Sequence, residues 1–277
     1  MSGRGRLGLA IVLALALLAL AGDRVSGYRF DAQDSARALE GPSRAHWFGC
    51  DALGRDLFAR LSEGARISLL VAAGATGFAM LVGLAYGAVA GWLGGRTDAW
   101  LMRAVDAIYA LPDVLVIVLL IEVLNGALGG LPDLWRRLAA LALALGFTGF
   151  VGVSRLVRAL VLQAREETWV EAARASGAAP ARILLRHVLP NIAPPLLVSA
   201  AFQIPAAILA ESTVSFIGLG IQPPFSSWGT LASDGFEAMR SYPHLILFPC
   251  LAIFSALLGF QLLGEELRAR IDPRSRA

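Results

Sequence analysis

Long apolar runs alternate with short polar segments along most of the chain. A helix needs about 17 to 25 apolar residues to cross some 30 Å of hydrocarbon. Six runs approach or reach this length, so the pattern predicts an all-α integral membrane protein with about six transmembrane helices. The predicted spans are residues 7–22, 68–93, 101–124, 138–160, 195–217 and 245–264.

Composition supports the membrane class and limits the chemistry. The chain is 57% hydrophobic and 16% charged, with a mean hydropathy of +0.65, whereas soluble domains carry about 25% charged residues. All 24 basic residues are arginine. Without lysine the chain cannot carry a complete Walker A motif or a Schiff-base lysine. Arginines at span ends account for the basic pI, and we expect no nucleic-acid partner.

The first span has two interpretations. Arg4 and Arg6 precede a short apolar run that ends in Ala19-Leu20-Ala21-Gly22, an acceptable signal-peptide cleavage site. The same run could equally be an uncleaved anchor. A modest excess of arginine in alternate loops favours cytoplasmic N- and C-termini and an even number of spans.

The longest polar stretch, 23–66, follows the first span and is predicted to be external. Its Gly- and charge-rich centre predicts a tight turn at Gly54, and the amphipathic residues 57–61 predict a helix on the membrane surface. A solvated loop without a ligand is an equally weighted alternative.

Cysteine and histidine give little support for a metal site or a disulfide. His46, Cys50 and Asp51 are too few and too close together to predict a metal site. Cys250 lies in the last predicted span, far from the external loop that holds Cys50, so we expect no disulfide between them.

A second polar segment, 163–191, separates the fourth and fifth predicted spans. Thr168 and Glu171 have the spacing of a capping box, which predicts a helix from Trp169. Gly177 can take the left-handed conformation that ends such a helix.

A second short helix is predicted to follow. Pro180 suits its first turn and Pro190 is expected to stop it. Small side chains at 172, 173, 175 and 177 leave the first helix open to close approach by another protein. An ordinary amphipathic linker between spans is the open alternative.

The segment resembles the EAA loop of ATP-binding-cassette importer permeases. His187 stands where the general pattern has an aliphatic residue, and the sequence from His187 to Asn191 resembles the variant found in dipeptide and oligopeptide permeases. In that family the loop docks on the ATPase subunit and couples ATP hydrolysis to transport. The residues that carry the resemblance are Glu171, Ala172, Ala173, Gly177, Leu189 and Pro190.

Other motifs extend the resemblance from about residue 46 onward and identify the chain as similar to the second, C-type membrane subunit. Phe48 and Cys50 replace the usual Leu and Thr of the first motif. The motifs are residues 46–56, 64–69, 215–220, 222–224, 227–229, 263–268 and 271–274.

The resemblance implies a type I importer permease fold in a bacterial inner membrane. It divides the chain into an uncleaved anchor with its external loop, 1–66, and a core permease domain, 67–277. The implied partners are a second permease in a heterodimer, two ATPase subunits that bind ATP and Mg, and an extracytoplasmic solute-binding protein. This chain would itself be non-catalytic and would bind no cofactor or metal.

On this interpretation the coupling residues transmit force, and Glu171→Ala is expected to lose a helix cap and uncouple transport. Peptides are the default solute by family frequency. Nickel or another small solute is the alternative for the same architecture. A stand-alone secondary transporter or channel is a further alternative, although no internal repeat is visible.

Polar residues inside predicted spans are candidates for the translocation path, because they are costly against lipid and should face the bundle interior. Glu122 and Glu211 fall towards the outer ends of their spans, where they could contact a peptide amino group or the binding protein. Interhelical hydrogen bonding is the alternative, favoured for the glutamines. The candidates are Glu122, Asn125, Gln203 and Glu211, with Gln261 as a further interior polar residue.

Two further features of the spans have structural interpretations. Arg103 and Asp106 lie three residues apart and are predicted to pair on one helix face. Four prolines are expected to kink or start helices. They are Pro112, Pro194, Pro195 and Pro205.

Overall fold

The computed structural model describes residues 2–271, and this part of the chain is helical without strands. The last residues of the C-terminal motif, 272–274, lie outside the described residues. The α-helices are α1 Gly3–Ser26, α2 Leu57–Leu93, α3 Gly95–Tyr109, α4 Asp113–Ala127, α5 Asp133–Arg165, α6 Thr168–Ala175, α7 Pro180–Ile183, α8 Leu189–Phe216, α9 Trp228–Ala238 and α10 His244–Ile271.

The described helices confirm the predicted membrane class. Five helical segments are long and apolar enough to cross a bilayer, and α3 with α4 supplies a sixth if that bent pair is one span. The predicted continuous span 101–124 is wrong, because α3 and α4 meet at 95°. Pro112 is the N-cap of α4. Its ring removes a backbone donor and disfavours a helical residue before it, which breaks the helix here.

Helix α2 begins earlier than predicted and replaces the expected surface helix. Asp56 caps it by accepting a hydrogen bond from the Ala59 amide at 2.7 Å. Leu57, Ala59 and Leu61 are all buried, so residues 57–61 are the first turns of a packed 37-residue helix. Helix α2 also runs without a break across residue 66, where the sequence predicts the division between the anchor segment and the core permease domain.

The prediction that Pro190 stops the second loop helix is also wrong. A π-helical segment, Leu184–Val188, joins α7 to α8, so the chain stays helical from Pro180 to Phe216. The Leu189 amide donates to the Leu184 carbonyl, five residues back. This wider turn leaves room for the Pro190 ring against the preceding turn, where a regular α-helix would clash.

Both described ends of the chain lie at the same end of the helix bundle. The Ser2 hydroxyl donates to a Glu266 carboxylate oxygen at 2.5 Å. Arg66, near the start of α2, donates from Nε to the Ala19 carbonyl at 3.1 Å, so α2 starts at the opposite end. We call the first the terminal end and the second the distal end. This arrangement agrees with an even number of crossings.

Close packing of α2 on α5 fixes the centre of the bundle. A Cβ atom on Gly83 would lie 2.6 Å from the Val153 side chain, and one on Gly87 would lie 2.4 Å from the Ser154 carbonyl oxygen. Small residues four apart let two membrane helices approach at backbone distance. Helix α5 is therefore held against α2 at a separation that larger side chains would not permit.

Candidate coupling loop and membrane cavity

The segment between α5 and α8 folds into a short helix, but its predicted cap is wrong. The N-cap of α6 is Glu167, whose carbonyl accepts from the amides of Val170 and Glu171 at 2.9 and 3.3 Å. Because the helix starts one residue earlier than expected, Thr168 already lies in its first turn. Among the described residues no side chain caps α6, and Glu171 is exposed.

The end of α6 confirms the prediction that Gly177 ends this helix in the left-handed conformation. Its φ of +77° is the left-handed conformation. The Gly177 amide donates to the Arg174 carbonyl at 3.0 Å, and the Ala178 amide donates to the Ala173 carbonyl at 3.1 Å. This pair of bonds is a Schellman motif, which satisfies carbonyls that the helix end would otherwise leave open.

One face of α6 is anchored in the membrane domain and the other is free. Val170 is completely buried and belongs to one hydrophobic cluster with Val161 of α5 and Ile192 of α8. Ala173 and Leu189 pack against this cluster. The remaining residues of interest in the loop are exposed, and they are Glu171, Ala172, Arg174, Ala175, Gly177 and Pro190.

The loop also contacts the terminal end of α2. The Arg174 guanidinium lies 5.9 Å from the centre of the Trp92 ring. Arg165, the last residue of α5 before the loop, donates from Nη1 to the Gly91 carbonyl at 2.9 Å. The loop therefore touches α2, α5 and α8, and it sits at the terminal end of the bundle. A force applied to its exposed face would reach three long helices directly.

A cavity of about 240 Å³ opens at half height in the bundle. Thr76, Gly149 and Gln203 line it, and each lies near the midpoint of its helix, α2, α5 or α8. Gln203 donates from Nε2 to the Gly149 carbonyl at 3.2 Å. The other lining residues are Ala75, Ala79, Asp113, Leu145, Thr148, Ala206, Ala207 and Ala210.

Residues 83–277 match the protein family described as "Binding-protein-dependent transport system inner membrane component". The chain belongs to this family. The permease is 36% identical to the oligopeptide transport system permease protein OppC of Bacillus subtilis over 269 residues, 97% of this chain and 85% of the relative. The dipeptide transport system permease protein DppC of the same organism is 40% identical over 270 residues, 97% of this chain and 81% of the relative.

A third relative is named for a different solute. The glutathione transport system permease protein GsiD of Pectobacterium atrosepticum is 35% identical over 241 residues, 87% of this chain and 77% of the relative. Together these relatives confirm the resemblance to the dipeptide and oligopeptide permease group. The protein is thus a multi-pass membrane subunit of a binding-protein-dependent transport system.

Glu211 faces the interior of the permease, as expected, but not the cavity. Its side chain has no exposed surface and accepts hydrogen bonds from the hydroxyls of Ser68 at 2.9 Å and Ser215 at 2.7 Å. The Ser68 hydroxyl also accepts from the Trp228 amide of α9 at 3.3 Å. These bonds tie α2, α8 and α9 together at the distal end. Glu211 is therefore separated from the cavity and holds helices together in this conformation.

The expected inward orientation of Glu122 and Gln261 is wrong within this single subunit, because both are exposed. Helix α4 packs on its neighbours through Ile117 and Ile121, which leaves the side that bears Glu122 uncovered. Asn125 is partly buried, and its Oδ1 has no hydrogen-bond partner among the described residues.

The predicted pair between Arg103 and Asp106 is wrong as well. Asp106 accepts a hydrogen bond from Arg155 of α5 at 2.6 Å, and the Arg103 guanidinium lies 5.5 Å from the centre of the Trp100 ring. A partner on a neighbouring helix replaces the partner on the same helix face, which local spacing cannot reveal.

The long loop between α1 and α2, residues 27–56, is folded and carries buried charges. Asp51 accepts from Arg55 Nε and from Arg60 Nη1, both at 2.7 Å. Arg60 Nη1 also donates to Asp234 of α9 at 3.1 Å. Gly54 confirms the predicted tight turn, with a φ of +72°. The loop is thereby clamped onto the start of α2 and onto α9.

Three possible metal ligands come together in this loop, since donor atoms of Glu40, His46 and Cys50 lie within 4.8 Å of one another. His46 Nδ1 is already 2.8 Å from Asp56 Oδ2, and Nε2 is 2.6 Å from Arg37 Nη1. Both ring nitrogens are therefore used within the loop's own hydrogen-bond network. Cys50 and Cys250 are free thiols, in agreement with the expectation of no disulfide between them.

Burial raises the pKa of the Cys50 thiol from 9.0 to about 11. Nearby carboxylates of Asp56, Glu40 and Asp51 add to this effect, because they disfavour a thiolate. The thiol is consequently protonated and poorly nucleophilic at neutral pH.

Sequence reasoning missed three polar residues of the cavity, namely Asp113, Thr76 and Thr148. Asp113 lies inside the predicted span 101–124 and met the same criterion that selected Glu122: an acidic group is costly in a membrane. The two threonines carry a weaker signal, because hydroxyls are common in membrane helices and often bond to their own backbone.

Proposed function

We propose that the protein is a membrane-spanning permease subunit of an ATP-driven importer for peptides or peptide-like solutes. It would act with a second, different permease, two ATPase subunits that bind ATP and Mg, and an extracytoplasmic binding protein. The chain itself would hydrolyse nothing and bind no cofactor. The solutes for which its relatives are named, namely oligopeptides, dipeptides and glutathione, support this choice.

The observation that carries the proposal is the construction of the coupling loop. Helix α6 exposes Glu171 and Ala172 while Val170 anchors it in the core between α5 and α8. A docking element needs a free face for its partner and a rigid attachment to the part that it moves. The loop has both, and idle linkers need neither.

The position of the coupling loop at the terminal end supports a proposed orientation of the subunit in the membrane. The coupling loop and the terminal end would face the cytoplasm, where ATP is available, and the folded loop before α2 would face outward with α9. Motion of the ATPases would displace the loop as a rigid body and rock the long helices between inward-open and outward-open states.

A variant at Glu171 tests the coupling role. Because this side chain is exposed and does not cap α6, Glu171→Ala should change stability by less than about 0.5 kcal/mol. We expect it to reduce retention of the ATPase subunits during purification and to reduce ATP-driven uptake, each by several-fold. Glu265→Ala, an exposed glutamate on α10, is the matched control and should retain both.

Reconstitution tests the transporter class and the solute. We expect ATP-driven uptake of a short peptide into proteoliposomes only when ATPases, both permeases and binding protein are present. Solute flux through this chain alone without ATP would instead establish a carrier or channel. Uptake of nickel with no uptake of peptides would overturn the proposed solute class while leaving the coupling scheme intact.

A further inference from the structure

The half-height cavity has the features of a binding site rather than a packing gap. Its three walls are α2, α5 and α8, and five of its lining residues are alanines that leave space open. Drug-sized ligand pockets are about 300–1,000 Å³, so a cavity of about 240 Å³ holds one terminal residue of a solute rather than a whole peptide.

Asp113 supplies the cavity with an acidic group. It is the first residue of α4, directly after the 95° break, and it is exposed. Its carboxylate has no ion-pair or hydrogen-bond partner among residues 2–271, and no basic residue lines the cavity. A charge at membrane depth is costly and indicates a functional role with a specific partner. The chemistry that satisfies it is a cationic group.

Thr76 is the second, independent indication of a ligand. It is 8% exposed, and its Oγ1 is buried with no hydrogen-bond partner among the described residues. Buried hydroxyls are almost always satisfied, because leaving one unpaired costs about 1–3 kcal/mol. Gln203 lies on the opposite wall, with Nε2 fixed on Gly149 and Oε1 left as an acceptor.

We propose that Asp113, Thr76 and Gln203 form a subsite that receives the α-ammonium group and the first amide of the solute during its passage. This inference rests on the proposed peptide import function. The carboxylate pairs with the ammonium, and the Gln203 amide oxygen accepts from the adjacent peptide N–H. The Thr76 hydroxyl, which is covered in this conformation, bonds to the peptide group when the helices around the cavity move during transport. The second permease covers the open side of the cavity in the assembled complex.

The experiment uses the complete complex in proteoliposomes with saturating binding protein. The probes are alanine peptides of two to five residues, each with a free or an N-acetylated amino terminus. The affinity of the binding protein for each probe is measured separately, so that its own preference can be removed. We expect Asp113→Asn to reduce uptake of free-amine peptides about tenfold or more and to have a much smaller effect on uptake of acetylated peptides.

Asp113→Glu keeps the carboxylate and should restore a large part of the uptake. Thr76→Val should lower uptake without lowering thermal stability, because it removes an unpaired buried hydroxyl. Thr213→Val is its control, since the Thr213 hydroxyl is exposed and bonded to the Leu209 carbonyl at 2.8 Å. Uptake should be unchanged in this control.

The outcomes separate two failures. If the wild-type complex imports free-amine peptides and Asp113→Asn imports them equally fast, the subsite is refuted and the importer function stands. Equal losses for free and acetylated peptides also refute it. If the wild-type complex imports none of the probes, the peptide function itself fails, and the subsite fails with it.

Discussion

Substitution of Gly177 isolates the conformational requirement at the end of α6. Gly177 has a φ of +77°, and no atom lies within 4 Å of the position that a Cβ would take. Gly177→Ala therefore adds no steric clash with the rest of the subunit. Its whole effect comes from placing an L-residue in the left-handed region, which costs about 1–2 kcal/mol.

This cost falls on the Schellman bonds of Gly177 and Ala178. An energy of about 1–2 kcal/mol changes a local equilibrium by about 5–30-fold, so opening of the loop end should increase by that factor. Hydrogen exchange of residues 168–183 in the purified complex measures it directly. We expect faster exchange there, unchanged exchange in α2, and a parallel decrease in ATP-driven uptake.

Gly27→Ala is the matched control. Gly27 ends α1 with a φ of +72° and has equally open surroundings, so the local cost is the same at a site distant from the coupling loop. Uptake should be normal in Gly27→Ala. Exchange in Gly177→Ala at the wild-type rate would refute the conformational argument, and equal loss of uptake in both variants would refute the coupling role.

Two further predictions concern the loop before α2. Gly54→Ala should abolish stable folding of this loop and lower the yield of the complex, because its Cβ would lie 1.8 Å from the Asp34 carbonyl oxygen; Gly41→Ala, with open surroundings, should be tolerated, and normal yields for both would contradict the packing. In a Cys250→Ser background, Cys50 should react with maleimide at pH 8 about 100-fold more slowly than an ordinary thiol, because its pKa is about 11. Since the folded state holds this proton more tightly, its contribution to stability is present below about pH 9 and is lost as the pH rises towards 11. Fast labelling of the folded complex at pH 8 would contradict the burial.

The sequence patterns that succeeded were those governed by local physics or by long apolar runs. Gly177 was predictable because a left-handed helix end needs a residue without a Cβ. Pro190 was misjudged because a π turn, stabilised by packing of Val188 and Ile192, accommodates a ring that a regular helix excludes. Apolar length alone could not reveal the break before Asp113, because α3 and α4 together still satisfy the length and hydropathy criterion for one span.

Contacts between helices were the least predictable feature. Asp106 was expected to pair with Arg103 within α3, yet it forms its ion pair with Arg155 of α5. The unusual burial of Glu211 depends on three serines from two helices, of which only Ser212 and Ser215 are near it in sequence. The cavity likewise exists only because residues from separate helices meet at the same height.

The unbroken helix from Pro180 to Phe216 has a thermodynamic consequence. Leu189 and Gln203 lie about 21 Å apart along it at 1.5 Å per residue, so the coupling loop and the cavity belong to one continuous element. If ATPase docking at the loop alters solute affinity in the cavity by some factor, linkage requires that an occupied cavity alter the affinity of docking by the same factor. Binding of a solute in the cavity would then change the affinity of the permease for its ATPases, through the same helix that their motion displaces.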